Sequence, residues 1–225
     1  MSAIAQTATR DRAETPPDSH RNLWWRWVAY ATVGETAGFG VPSVAGALAV
    51  AIDLPGVAMA AALVTAGFGE GSLLGFAQAQ ALKPALPSLR PGQWTYLTGF
   101  GAAFAWTLAL APMVLWDDLG GISPLILAPA GVLGALALVA SVGATQWVVL
   151  RQYSSAAAWW IPGTALAWVV GVTIAIAGMS PMQEGDPARK MALLGVASGA
   201  GMAVVVAVVT GAILVRLLRA GRRLR

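Results

Sequence analysis

The sequence has no cysteine, a single histidine and few charges: Asp, Glu, Lys and Arg make up 11% of its 225 residues. Without cysteine there is no disulfide, no thiolate metal site and no cysteine nucleophile. His20 stands alone in a polar leader, so imidazole-based metal or triad chemistry lacks the partners it needs. No His, Cys or clustered Asp/Glu set offers general acid–base or metal chemistry. A lipid-modifying enzyme is therefore the weakest reading, and we expect no enzyme, no metal and no cofactor. Lysine is nearly missing as well, with two Lys against twelve Arg. With the Ala, Val and Gly richness, this suggests a GC-rich bacterial genome.

Charge scarcity also excludes an ordinary soluble domain, which carries about a quarter charged residues. Here 57% of residues are hydrophobic and the mean hydropathy is +0.69. A very apolar soluble core would need a polar surface that these residues cannot supply. The composition is that of an integral membrane protein. The net charge of +4 and pI near 10.1 do not point to nucleic acid, because the basic residues lie beside apolar spans. That placement reads as topology and anionic-lipid contact.

The fold expected is all-α and polytopic, with six transmembrane helices. Residues 1–22 are polar, carry Pro16-Pro17 and lack an apolar h-region, so they read as a flexible tail and not a signal peptide. Helices are expected at 23–50, 56–82, 93–115, 124–151, 156–178 and 191–219. A tight turn falls at Asp53-Leu54-Pro55-Gly56, and another connection at Asp117-Asp118-Leu119-Gly120-Gly121. Each span exceeds the ~20 residues needed to cross ~30 Å of hydrocarbon. The domain layout is thus a tail over 1–22, a six-helix membrane domain over 23–220 and a basic end over 221–225.

Twelve of the fourteen basic residues fall on one side of this layout, leaving Arg189 and Lys190 opposite. The positive-inside bias therefore places both termini in the cytoplasm of a bacterial inner membrane. Acidic Asp53, Asp117, Asp118, Glu184 and Asp186 fall outside. Trp24, Trp25, Trp27, Trp94, Trp147, Trp159 and Trp160 cluster near the cytoplasmic ends and read as an interfacial belt. The Arg-rich stretch from Arg216 to Arg225 reads as a stop-transfer flank that can also meet anionic headgroups.

The even-numbered spans end alike. Gly75-x-x-Gln78-x-x-x-Leu82-Lys83 matches Gly143-x-x-Gln146-x-x-x-Leu150-Arg151, and Gly211-x-x-Leu214-x-x-x-Leu218-Arg219 keeps the frame without the Gln. The odd spans follow Trp27, Trp94 and Trp160. Ala37-Gly38-Phe39-Gly40 is similar to Thr98-Gly99-Phe100-Gly101, and Phe104-Ala105-Trp106 to Leu166-Ala167-Trp168, both tryptophans falling near mid-span. The expectation is three helical hairpin repeats of one orientation. Parallel repeats build transporters, and they build inert scaffolds too. Over roughly residues 24–219 this pattern resembles uncharacterised bacterial multi-pass membrane proteins with repeated Gly-x-x-Gln-x-x-x-Leu-Arg helical hairpins. The resemblance implies no known activity.

Two carboxylates stand out against this background. Glu35 and Glu70 lie deep in the first two spans, about ten and thirteen residues from their shared turn. At roughly 1.5 Å rise per residue both fall near mid-bilayer. Charged groups in hydrocarbon are costly and usually face a protein interior or a water-filled cavity. Gly34 and Gly38 on the first helix, and Gly67, Gly71 and Gly75 on the second, recur at the spacing that lets helices approach closely. Gly195 and Gly199 begin a similar row on the sixth. Close packing of the first two helices would bring the carboxylates together, and two carboxyls in one dry site do not easily both ionise.

Two functions follow. In the first, Glu35 and Glu70 couple protons or cations in a small transporter, with Thr32, Thr36, Ser72, Gln78 and Gln146 as candidates for a polar pathway. In the second, the chain is a non-catalytic scaffold or accessory subunit, a homo-oligomer or a membrane partner's neighbour, and the Glu pair only fixes hairpin register. The two Gln residues read first as interhelical glue, worth about 1 kcal/mol or less. Nothing in the sequence names a substrate.

Overall fold

The computed structural model describes residues 17–115, 119–183 and 186–222, and these are helical with no strand among them. Six helices are long and apolar enough to cross a membrane. They are α1 (Pro17–Ala51), α2 (Gly56–Leu82), α3 (Pro91–Val114), α4 (Pro124–Leu150), α5 (Trp160–Met179) and α6 (Ala188–Arg222), with a 3₁₀ turn at Ala157–Trp159 leading into α5.

Local sequence explains most of the boundaries. α3 and α4 each begin on a proline, a residue that lacks the N–H a first helical turn leaves unpaired. Ser123 caps α4 by accepting from the Leu125 amide at 3.3 Å. The α1–α2 turn closes at Asp53, whose φ of 51° is the left-handed conformation that ends many helices. The Leu54 amide then donates to the Ala49 carbonyl at 2.9 Å.

α1 starts at Pro17, so the expected tail over 1–22 is shortened: 17–22 is helix, and 1–16 lies outside the described residues. Hydropathy misses this polar turn, although a leading proline followed by Asp18 suits a helix N-terminus. α6 likewise runs from 188 to 222, past the expected 191 and 219. The connection residues Asp117 and Asp118, together with Glu184 and residues 223–225, lie outside the described residues, so the expectations on them are not addressed by the fold.

Each helix packs on its neighbours in sequence, and α6 returns to α1, which closes a six-membered ring. Small residues set the spacing. A Cβ at Gly34 would lie 2.6 Å from the Ala77 Cβ, one at Gly71 2.8 Å from the Thr98 carbonyl, and one at Gly143 3.2 Å from the Ile161 Cα. The outside of the ring is apolar, with Leu125, Leu133 and Leu193 exposed. A surface of this kind suits acyl chains.

The ring is plugged at the end that carries the start of α1 and the end of α6. Trp27, Trp94 and Trp160, one from each odd helix, are 0% exposed there. Trp27 meets the other two edge-to-face, at centroid distances of 6.4 and 5.7 Å. This corrects the expected interfacial role of these three residues. They are the centre of a core that also holds Leu23, Leu82, Leu150 and Leu214. Trp25 and Trp159 remain exposed, as interfacial anchors should be, and Arg151 lies over Trp147 at 5.0 Å.

At the other end, the α5–α6 connection is clipped by Lys190, whose Nζ donates to Asp186 at 2.7 Å and to the Pro181 carbonyl at 3.0 Å. The hydrogen bond from Lys190 holds the Asp186 carboxyl below the usual carboxylate range.

Candidate functional site

Inside the ring, between the tryptophan plug and the far end, lies a cavity of about 1000 Å³. All six helices line it. It reaches from the level of Glu35, Glu70 and Ser141 to Met179 and Met191, near the end of α5 and the start of α6. Its walls are mainly Ala, Val, Leu, Met and aromatic side chains. Glu35 and Glu70 are the only ionisable groups among the lining residues.

The two carboxylates are positioned by close helix contacts. Gly38 lies one turn after Glu35, and a Cβ there would sit 2.9 Å from the backbone oxygen of Glu70 and 3.2 Å from its Cγ. The absent side chain lets α2 rest on α1 at this level, so Glu70 enters the cavity within a turn of Glu35. On its other face α2 carries Gly67, Gly71 and Gly75. These pack on α3, against Trp106, Ala102 and Thr98 respectively. The expected arrangement, with the second helix's glycine row facing the first helix, is therefore corrected: that row faces α3, and α1 brings its own glycines to α2.

The Gly67 row has a direct consequence for Glu70. The Trp106 ring lies where a Cβ at Gly67 would be, and from there its Nε1 donates to Glu70 Oε2 at 2.8 Å. Glu70 is thus 6% exposed and partnered. Glu35 is 2% exposed, and neither of its carboxylate oxygens has a hydrogen-bond partner among the described residues. Two similar groups in one cavity have different surroundings, one anchored by an indole and one open.

The other expected polar residues divide. Thr36 lines the cavity with the two Glu residues. Thr32 does not, and its buried hydroxyl is unpartnered. Ser72 also lies off the cavity, packed against Gly99 between α2 and α3. Gln78 and Gln146 lie in the plug. Gln146 Nε2 donates to Gln78 Oε1 at 2.8 Å and to Thr98 Oγ1 at 3.0 Å, while Trp94 donates to Gln78 at 3.1 Å and Trp160 to Gln146 at 3.0 Å. These are the contacts of glue, and they close one end of the ring. Trp27, the third plug tryptophan, donates to Thr210 Oγ1 at 2.9 Å instead. Gly195 and Gly199 have no neighbour within 4 Å of a Cβ position and line the cavity, which corrects their expected place in a packing row.

Trp106, Trp168, Phe39 and Ser198 complete the cavity wall and were not expected as site residues. A signal was available for two of them: Phe104-Ala105-Trp106 and Leu166-Ala167-Trp168 stand out as matching mid-span tripeptides. Among the described residues no group of three His, Cys, Asp or Glu side chains could hold a metal ion. Comparison of the chain with protein-family models, with curated proteins and with solved structures finds no match.

Proposed function

We propose that the chain is a small proton-coupled transporter of the bacterial inner membrane, with Glu35 and Glu70 as the coupling groups and both termini in the cytoplasm. The observation that carries the reading is the buried carboxyl of Glu35, without a partner among the described residues, lining the same cavity as Glu70. An unsatisfied buried polar group costs about 1–3 kcal/mol, and intramembrane ionisable groups are functional by default. A pair used only to fix hairpin register would be hydrogen-bonded to itself. Among the described residues the one hydrogen-bond partner of the pair is Trp106, on a third helix.

The internal repeat supports the same reading. Each odd helix places a tryptophan in the plug and donates its indole N–H to the preceding even helix: Trp94 to Gln78, Trp160 to Gln146 and, across the ring closure, Trp27 to Thr210. Gly75, Gly143 and Gly211 lie against the same three odd helices. We read this as three parallel repeats around a pseudo-threefold axis, with Thr210 supplying the acceptor that Leu214 lacks. Only the first repeat carries carboxylates within its spans, so the site is a specific use of one hairpin. Exposed Arg216 and Arg219 at the end of α6 suit anionic headgroups.

A second reading, an accessory subunit or homo-oligomer, draws on the first half of α4, where Leu125 and Leu133 are 85% and 68% exposed. Lipid covers such a face equally well. The test is proton flux in proteoliposomes for wild type and Glu70→Gln. We expect the variant to lose flux; equal flux in both ends the coupling idea.

A further inference from the structure

The chemistry of the cavity restricts what it can take. Its lining includes two carboxyl groups and no Lys, Arg or His, so an anionic ligand would meet only like charge. Hard metal cations are a poor match too. Ca²⁺ takes 6–8 oxygen ligands and Mg²⁺ demands near-ideal octahedral geometry. Among the described residues no group of three His, Cys, Asp or Glu side chains gathers to hold such an ion, and Glu70 Oε2 already accepts from Trp106 at 2.8 Å. Among the lining residues described, the buried polar group left without a hydrogen-bond partner is Glu35, 2% exposed with both oxygens unpartnered.

Around that carboxyl much of the wall is hydrophobic and aromatic, with Phe39, Trp106, Trp168, Met179, Met191 and Met202 among its residues. Aromatic faces attract desolvated cations, and Met side chains adapt to irregular apolar shapes. A volume of about 1000 Å³ matches the upper range of pockets that enclose a drug-sized molecule.

Resting on the transport reading above, we propose that the cavity binds an organic cation with an apolar body. An amine or onium head lies against Glu35 and Glu70, and the hydrophobic part lies along the aromatic and methionine wall. The cation satisfies the oxygens that the protein leaves open, and its body lies against the apolar wall. Because it occupies the same carboxylates as a coupled proton, the two compete, and exchange of one for the other is the transport cycle that follows.

The test uses the purified full chain in nanodiscs of zwitterionic lipid. The probe is radiolabelled tetraphenylphosphonium, with tetraphenylborate as an anion of the same shape. Wild type should bind the cation saturably and the anion not at all. Glu35→Gln/Glu70→Gln should weaken cation binding at least tenfold. Glu35→Asp, which keeps the charge, should retain binding. Gly199→Trp, which fills the cavity and leaves both Glu residues in place, should abolish it. Binding of the cation that is equal in wild type and the double variant, or binding of the anion with the same affinity, would overturn the assignment, as would a copurified lipid that the cation fails to displace. The two proposals fail separately. Proton flux that depends on Glu70 without phosphonium binding removes the substrate class alone. Glu-dependent phosphonium binding without flux removes the coupling alone.

Discussion

Trp106 donates its indole hydrogen to Glu70 across the α2–α3 contact at 2.8 Å, in a position that only a glycine at 67 permits. The bond ties one carboxylate to the wall of the cavity while Glu35, on the neighbouring helix, stays free. It is testable as a pairwise energy. Trp106→Phe should destabilise the protein by about 1 kcal/mol, the scale of a membrane hydrogen bond to a buried acceptor. In a double-mutant cycle with Glu70→Gln, measured by unfolding in mixed micelles, the two effects should be non-additive by more than about 0.5 kcal/mol. Strict additivity would mean that the two side chains do not interact.

Glu35 should respond in the opposite sense. Its oxygens have no partner among the described residues, so replacing it with an apolar residue of similar size removes an unsatisfied group without orphaning another. Glu35→Leu should leave thermal stability unchanged or raise it by about 1 kcal/mol. Glu70→Leu should lower stability, because the Trp106 N–H is left without an acceptor. The same sign for both substitutions in a thermal melt would contradict the asymmetry.

The glycines should fall into two classes. Gly71 faces the Thr98 carbonyl and Gly99, so a Cβ would need backbone to move. Gly71→Ala should cost more than 1 kcal/mol, as overpacking typically does. Gly195 and Gly199 face open space in the cavity, where alanine should stabilise α6 by roughly 0.5–1 kcal/mol through helix propensity. Comparable losses at all three positions would show that α6 packs differently.

The plug can be tested by moving the acceptor used by one of its tryptophans to another. Gln146→Leu removes the acceptor of Trp160 and the donor to Gln78 and Thr98, and should destabilise by about 2 kcal/mol. In the third pair, Leu214 already holds the corresponding position, and Thr210, one residue before Gly211, accepts from Trp27. Val142 is the matching residue before Gly143. Val142→Thr should therefore recover part of the stability lost in Gln146→Leu. No recovery would remove the equivalence of the pairs.

Much of this was readable from the sequence, for reasons that differ by feature. The six spans follow from hydropathy, because hydrocarbon demands long apolar runs. The α1–α2 turn follows from Asp53-Leu54-Pro55-Gly56. Glu35 and Glu70 stood out because charge in such runs is rare. The neighbours they meet were not readable, because a glycine row does not say which of two flanking helices it faces. Gly67, Gly71 and Gly75 choose α3, and that choice brings Trp106 rather than Glu35 to Glu70. The plug was misread for a related reason. Tryptophan near a span end suits the interface and the core alike, and only the hydrogen bonds to Gln78, Gln146 and Thr210 tell which. The polar first turn of α1 escaped a reading based on hydropathy, although Pro17 and Asp18 carried its signal.

The native chain lacks cysteine, so a single introduced thiol reports directly on the cavity. Gly199→Cys places it on the lining, in open space. The most direct measurement is its rate of modification by a cationic methanethiosulfonate against an anionic one of similar size. With Glu35 and Glu70 facing the same space, the cationic reagent should react severalfold faster, and the preference should vanish in the Glu35→Gln/Glu70→Gln background. A thiol that neither reagent reaches, or one whose charge preference ignores both carboxylates, would contradict the account.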